Sequence, residues 1–493
     1  MNFCGLDVGT SGVKAVVFDE KGLRAADAYR AYETEYDPDG LRGLDPREMW
    51  KKTKEVLREA CVKAGRIDAL AAASFGEAFV MLDEKDEPLH DIMIFTDPRG
   101  EEEFISASRG IPHEEIARVC GLPFSPTYSI SKLLYLQRRR AELYGRAKRI
   151  LFIEDYVGYM LSGSAAVDYS VASRSMLFNV RSCTWSGKMM ERFGIEEGLF
   201  SRPVPAGTVI GTVSPAVAAE LGVPETMKIV AGIHDQPASA IGTGLGKGSV
   251  ACSMGTSECL TPIFTGIFEP ADIVRNGLSS EPVWEAGKYC TLAYNPSCGV
   301  LIEWFFRTFA AAETAAGGPP FALFEENFPE KPTRLTVQPY LAGSGTPYLD
   351  THARFAVTGA GLETTRFDLY RGVLEGLVLD QYLNLELLCA QGVPAESLIC
   401  VGGGSKSRPW LQVKADVMQL PVSTLLCSEA GALGCAALCA VALGVYGSVE
   451  EAAGSMSHRA DTLEPNREHR EFYKEKFEEY RTLHARLKAG GDC

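Results

Sequence analysis

The amino-acid sequence predicts an α/β fold of two domains, each built on a mixed sheet, with a cleft between them. Three observations carry that expectation. Strand hairpins give way to alternating helices and strands in the first half, and the same order restarts near residue 249. Two short loops of nearly the same composition, Asp7-Val8-Gly9-Thr10-Ser11-Gly12 and Ser253-Met254-Gly255-Thr256-Ser257, occupy the matching place in each half. A chain of 493 residues, 46% apolar and with a mean hydropathy of −0.02, is long enough to enclose two or more cores.

Residues 3–8, 14–18 and 26–36 read as three strands joined by tight turns, the second being Asp19-Glu20-Lys21-Gly22. A helix follows, with Asp45 as N-cap, Pro46 at its first position and Glu48 completing a capping-box-like arrangement ahead of Trp50 and Val56. Strands are expected at 67–73 and 79–82, and helices at 129–144 and 154–162. In the second half, 249–253 and 258–264 read as strands flanking the second loop. Helix 368–391, strand 398–401, helix 407–419, strand 422–426 and helix 431–443 follow in turn. The glycine-rich stretch 242–248 suits a hinge and divides the chain into domains 1–244 and 245–493. The Ala-rich stretch 310–320, ending Gly317-Gly318-Pro319-Pro320, reads as a surface connection. Residues 464–487 read as a closing helix that docks through Phe472, Phe477 and Tyr480.

Composition excludes several classes of partner. A formal charge of −15 argues against nucleic acid and against an anionic membrane surface, so any anionic ligand must be held by local groups. No apolar run approaches membrane-spanning length, and Asp7 interrupts the first apolar run as no signal peptide would. The 14 cysteines lie mostly in apolar stretches and read as reduced core thiols of a cytoplasmic protein. Cys435 and Cys439 share a helix face but lack the second clustered pair that a metal site needs.

The two loops carry the chemistry. Gly9 and Gly255 let a turn approach an anion closely, and the Thr and Ser that follow supply hydroxyls and backbone N–H groups, a cradle for phosphate. Asp7 would repel phosphate unless a cation such as Mg²⁺ lay between them, so the first loop reads as metal plus phosphate and the second as phosphate alone. Either loop taken singly is equally an ordinary glycine hairpin; the matched pair favours phosphate. Gly242, Gly246, Lys247 and Ser249 mimic a nucleotide P-loop, but only three residues separate the glycines and Gly248 follows the lysine, so the spacing fails. Gly402-Gly403-Gly404-Ser405-Lys406-Ser407 follows an apolar strand and opens a helix, leaving bare backbone where a flat ligand could lie. Alone, it is more often a plain turn. A helix of small residues from Glu429-Ala430-Gly431-Ala432-Leu433-Gly434 is expected to pack beside it and complete an adenosine pocket. Gly232-Ile233-His234-Asp235-Gln236-Pro237 follows strand 229–231, and an Asp at a strand's end faces a crevice in such sheets. An isolated Asp is more often a turn residue, but its place beside the phosphate loops favours a site.

With these residues in place, the chain resembles, from end to end, the carbohydrate kinases of the FGGY family, which share the fold superfamily of actin, hexokinase and heat-shock chaperone ATPases. The resemblance rests on Gly5-Leu6-Asp7-Val8-Gly9-Thr10-Ser11, Trp185-Ser186, Gly232 through Gln236, Gly255-Thr256-Ser257, Pro339-Tyr340-Leu341-Ala342-Gly343, Arg371-Gly372-Val373-Leu374-Glu375-Gly376, Gly402-Gly403-Gly404 and Gly431-Ala432-Leu433-Gly434. It implies two actin- and hexokinase-like (ribonuclease H-like) domains, with ATP and Mg²⁺ as cofactors and a small sugar as substrate. It implies Asp235 as general base and as a neighbour of Mg²⁺, and Asp7 near the same ion. Thr10 and Lys14 would lie near the transferred phosphate, with Ser11 on the ATP side, and Gly255 and Thr256 near the nucleotide phosphates. Gly299, Gly402, Gly403, Gly404 and Ser407 would border the nucleotide.

Departures from the family pattern fall at the sugar. A Met-His pair in xylulose kinases, or Arg-Glu in glycerol kinases, is here Gly76-Glu77, and the usual tryptophan of the next motif is Phe95 in Phe95-Thr96-Asp97-Pro98-Arg99. Glu77 and Asp97 are expected to accept hydrogen bonds from sugar hydroxyls, with Gly76 leaving space and Phe95 and Gln236 completing that side. His234 stands where many relatives have glycine and is expected to brace the Asp235 loop, with contact to the substrate as the alternative. Gly343-Ser344-Gly345-Thr346-Pro347 lacks the charged pair that many relatives carry. The expected acceptor is a ketose, xylulose first, with glycerol, another polyol or a sugar acid as the alternative. An actin-like or chaperone-like ATPase and a sugar sensor without activity are the competing classes. Asp235, Glu77 and Asp97 at the expected crevice, and the lack of an added peptide- or DNA-binding segment, favour the kinase. A homodimer is compatible with the sequence.

Overall fold

The computed structural model describes residues 1–33, 35–36, 42–318 and 320–490. Its first sheet has six strands: β1 (Asn2–Val8), β2 (Gly12–Asp19), β3 (Arg24–Ala31), β4 (Ala69–Ser74), β5 (Val209–Thr212) and β6 (Lys228–His234), in the order β5-β6-β4-β1-β2-β3. β1, β2 and β3 form an antiparallel meander, β4 and β6 add in parallel to β1, and β5 closes the edge antiparallel. β1, β2, β4 and β6 are buried on both faces, which is why they read as nearly continuous apolar runs, whereas β3 alternates exposed and buried residues and the edge strand β5 is largely open. Cys4, Leu6 and Val8 point to one face, packed with Val56, Leu57 and Ala60 of helix α1 (Pro46–Ala64) and with Tyr156 and Val157 of helix α2 (Ile153–Ser162). Phe3, Val16 and Phe18 point to the other face. Helix α3 (Tyr169–Ser173) follows α2, and helix α4 (Asp235–Gly242) leaves directly from the end of β6.

The second sheet repeats this plan. Its strands are β7 (Ser249–Met254), β8 (Glu258–Thr261), β9 (Ala293–Asn295), β10 (Ser397–Val401), β11 (Val422–Leu425) and β12 (Arg459–Leu463), in the order β9-β8-β7-β10-β11-β12. The succession is again antiparallel, antiparallel, parallel, parallel, antiparallel. Helix α5 (Ala430–Ala442) packs on the first sheet, where its Ala432, Leu433 and Ala436 meet Phe3, Val16 and Phe18. The approach is backbone to backbone: a Cβ on Gly5 would lie 1.8 Å from Ala432 O, one on Gly242 1.9 Å from Ala430 O, and one on Gly434 2.0 Å from Ala238 O. The small residues of α5 therefore face β1 and α4, which corrects the expectation that they pack beside the glycine turn at 402–404. Helix α6 (Arg470–Gly490) closes the chain, with Phe477 and Tyr480 buried and Tyr480 Oη donating to Asp380 Oδ1 at 2.8 Å.

Local punctuation behaves as its chemistry dictates. Asp45 accepts from Arg47 N–H at 2.8 Å, Pro46 opens α1, and Gly65 closes it at φ 75°. Glu48 turns to Lys51 and Lys52 instead of reaching back to the cap. Other expectations need correction. The third strand stops at Ala31; Glu35–Tyr36 pairs with Arg42–Leu44 in a separate sheet, and Thr34 lies outside the described residues. The expected helix 129–144 breaks at Arg140 into Ser129–Arg139 and Ala141–Tyr144. Pro262, which has no N–H to donate, ends β8, and Ile263–Thr265 pairs instead with Lys288–Cys290. The Ala-rich connection contains a helix, Ala311–Gly317, because alanine is the best helix former; Pro319 lies outside the described residues. Among the described residues no helix is long and apolar enough to cross a membrane, and thirteen cysteines are free thiols.

Candidate functional site

Strand register assembles the site. β1, β4 and β6 run parallel with Val8, Ser74 and His234 side by side. Asp7 and the first loop, Gly76-Glu77, and Asp235 therefore emerge at one carboxyl edge, where ligands bind in open α/β sheets. In the second sheet Ser253 pairs with Val401, so Gly255-Thr256-Ser257 and Gly402-Gly403-Gly404 emerge together. Two contacts join the edges across the cleft: Lys14 Nζ donates to Glu429 Oε2 at 2.9 Å, and Ser253 Oγ to Gln236 Oε1 at 3.0 Å.

Both loops are tight hairpins. Gly9 N–H donates to Gly12 O at 3.0 Å and Gly255 N–H to Ser257 O at 2.9 Å. Thr10 is half-buried, while Ser11, Gly255, Thr256 and Ser257 are exposed. Around the second loop three glycines keep the surface flat. Gly299 donates to Gly255 O at 3.0 Å, and a Cβ there would stand 2.6 Å from that oxygen. Gly402, at φ 90°, lies against Met254 O, and Gly404 is wedged between Met254 and Trp410, whereas nothing lies within 4 Å of a Cβ on Gly403. Ser407 is buried and opens the helix Arg408–Met418; its hydroxyl has no partner among the described residues.

Asp235 is the first residue of α4, deep in the cleft but with 36% of its side chain exposed. Burial lifts its pKa to about 7, the Asp7 charge adds to the rise, and Gln236 and Arg174 oppose it. Asp7 is lifted to about 6 by burial and then by Glu429, with Lys14 opposing. A buried carboxylate raised by the charge of a second one is the setting a divalent cation relieves, and Mg²⁺ ordinarily takes one or two protein carboxylates and completes its shell with phosphate and water. Among the described residues no group of three or more His, Cys, Asp or Glu is placed to hold a metal, so Asp7 and Asp235 fit Mg²⁺ only in that shared mode. His234 is 4% exposed, with Nε2 at 3.3 Å from Asp235 Oδ1. Burial and then Arg174 hold its pKa well below the usual value, so it meets Asp235 as a neutral ring.

The sugar side differs from expectation. Glu77, buried at φ 63°, is ion-paired with Arg174, which also donates to Glu281 Oε1 at 2.6 Å and lies over the Tyr128 ring at 5.2 Å. The space beside Gly76 is filled, because a Cβ there would meet His234 Nε2 at 3.0 Å and Arg174 Cγ at 3.3 Å. Asp97 is buried and held by Arg99, whose Nη2 lies 2.5 Å from Oδ2 and whose N–H donates to Oδ1 at 2.9 Å. Phe95 is 43% exposed. Arg174 and Glu281 escape sequence reasoning as site residues, and Glu429, read as the start of a helix beside the adenosine, instead pairs with Lys14 of the first sheet. Arg174 stands 97 positions from Glu77 and 107 from Glu281, and no local pattern marks it.

Residues 3–242 match the family described as FGGY family of carbohydrate kinases, N-terminal domain, and residues 250–443 its C-terminal domain. The chain is 26% identical over 498 residues to the xylulose kinase of Bacillus subtilis, covering 98% of this chain and 97% of that one. It is 26% identical over 500 residues to the autoinducer-2 kinase of Salmonella paratyphi B, covering 97% and 93%. The crystal structure of ligand-bound xylulose kinase from Lactobacillus acidophilus matches with a TM-score of 0.90 at 24% identity, covering 99% of this chain and 98% of that one.

Proposed function

The chain belongs to the FGGY family of carbohydrate kinases, and on that premise we propose that it moves the γ-phosphoryl group of ATP to a hydroxyl of a neutral ketose, xylulose first, with Asp235 as general base. The observation that carries the neutral acceptor is the pairing of the cations on the sugar side. Arg174 is held between Glu77 and Glu281, and Arg99 is held by Asp97. A sugar acid entering there meets guanidinium groups already matched by carboxylates, whereas hydroxyls can use the lone pairs that Glu77 and Asp97 retain. The choice of xylulose follows the name of the Bacillus subtilis relative.

In this reading the acceptor hydroxyl gives its proton to Asp235 as its oxygen attacks the γ-phosphorus, and the bond from that phosphorus to ADP breaks. A pKa of about 7 suits a base that works near neutrality. Thr10, Ser11 and Lys14 receive the γ-phosphate, Gly255 and Thr256 the remaining phosphates, and Gly299 with Gly402, Gly403 and Gly404 lines the nucleoside, with Ser407 supporting that turn. Asp7 and Asp235 would hold Mg²⁺, which when bound neutralises charge on the phosphates. The division into 1–244 and 245–493, hinged at 242–248, lets the halves close and exclude water. Free thiols fit a cytoplasmic site of action.

The test is acceptor-stimulated ADP release over ketoses, polyols and sugar acids. A neutral ketose is expected to lead. Release that no acceptor stimulates contradicts the kinase, and a sugar acid in first place contradicts the neutral acceptor.

A further inference from the structure

β6 contains a bulge just before the site. Val230 pairs with Ala71 and Ile233 with Ala73, so Ala231 and Gly232 together oppose Ala72. Gly232 is pressed so close that a Cβ would meet Ala72 O at 1.7 Å. On the other edge β5 begins only at Val209, and the preceding loop serves Ala231 alone: Ala231 N–H donates to Thr208 O at 2.8 Å and Gly207 N–H to Ala231 O at 2.9 Å. Beyond Ala231 two side chains take the place of a strand. Gly232 N–H donates to Glu154 Oε1 at 2.6 Å, and His234 N–H to Ser170 Oγ at 3.0 Å.

The two acceptors are themselves tied together. Ser170 Oγ donates to Asp168 Oδ1 at 3.1 Å, and the Asp168 N–H lies 3.4 Å from Glu154 Oε2. Glu154 is 2% exposed at the start of α2, and Ser170 is fully buried in α3. A carboxyl group so deep in a core, beside two further acids, is costly to retain unless its oxygens satisfy backbone donors that nothing else reaches. Asp235 follows His234 directly. In a strand, a shift of one residue reverses the direction of every side chain, so whatever fixes the bulge also fixes where Asp235 enters the cleft.

We propose that Glu154 and Ser170 are positioning residues for Asp235, accepting the Gly232 and His234 N–H groups and thereby locking the bulge that aims the base. This rests on the reading of Asp235 as the base. The test compares kcat and KM of Glu154→Leu, which fills the site without an acceptor, and Glu154→Gln, which keeps one oxygen for Gly232. Thermal melting of each variant is followed in parallel. Displacement of a base by a fraction of an ångström is expected to lower kcat of Glu154→Leu by about 10–100-fold with KM for ATP within about threefold, and Glu154→Gln to recover most of the loss. Should Glu154→Leu not fold, Ser170→Ala, a smaller change, is held to the same split between kcat and KM. A folded Glu154→Leu or Ser170→Ala with kcat within twofold of the parent overturns the proposal, as does a Glu154→Gln as impaired as Glu154→Leu. Asp235→Asn measured alongside separates the two ideas: normal turnover there removes the base assignment itself, whatever the Glu154 variants do.

Discussion

Lys14 Nζ and Glu429 Oε2 lie 2.9 Å apart, joining the second strand of the chain to the N-terminal cap of α5, 415 positions away. Both side chains are partly exposed, so the pair contributes on the order of 0–1 kcal/mol to stability. Its consequence is electrostatic and local. It holds the Lys14 ammonium at the mouth of the first loop and sets a negative charge near Asp7. Glu429→Gln removes that charge and leaves burial as the main cause of the raised Asp7 pKa of about 6. The acid limb of the kcat/KM profile is expected to move to lower pH, and KM for ATP to rise about two- to fivefold as Lys14 loses its anchor. A pH–rate profile that superposes on that of the parent enzyme contradicts this account.

Asp7 and Asp235 also make the fold pH-dependent. Their folded pKa values, about 6 and about 7, lie above the ordinary carboxyl value, so between pH 4 and 7 the folded state binds more protons than the unfolded state. Their cost is absent below about pH 4 and grows as pH rises through the folded values. Asp7→Asn is therefore expected to raise Tm relative to the parent more at pH 8 than at pH 5, and added Mg²⁺ with an ATP analogue to shrink that gain. An equal gain at both pH values refutes it.

Arg174 tests the sugar side. Arg174→Met leaves Glu77 and Glu281 buried without their shared cation, a change expected to cost about 3–5 kcal/mol in urea unfolding. Glu77→Gln introduced on that background removes one of the stranded charges and is expected to recover part of the loss. Simple additivity of the two substitutions means that the pair is not coupled in the way the geometry indicates.

Glu77→Gln alone is expected to raise KM for the best sugar about tenfold with little change for ATP, because an amide accepts fewer hydrogen bonds and no longer balances Arg174. An unchanged ranking of sugars shows that Glu77 does not select the acceptor.

Much of this architecture is legible in the sequence where local chemistry decides it. Asp45 and Pro46 mark the start of α1 through capping alone, and the two hairpin loops announce the duplicated sheets. What is hidden depends on partners distant in sequence. Arg174 lies in an unremarkable Ser173-Arg174-Ser175 run, and only the tertiary fold brings it to Glu77 and Glu281. The openness expected beside Gly76 is lost for the same reason, since His234 and Arg174 arrive from other elements. Gly232 looks like part of a loop motif, and only the register with Ala72 shows it to be a bulge whose N–H needs Glu154. The small residues of α5 carry no label for which surface they approach, and the structure sets them against Gly5 and Ala238.

The most direct measurement is the turnover of Asp235→Asn on the best acceptor, with ATP binding measured on the same protein. The amide keeps the shape and removes the basicity, so kcat is expected to fall by about 10²–10⁴-fold with ATP affinity nearly unchanged. Turnover close to that of the parent enzyme would contradict the assignment of Asp235 as the base.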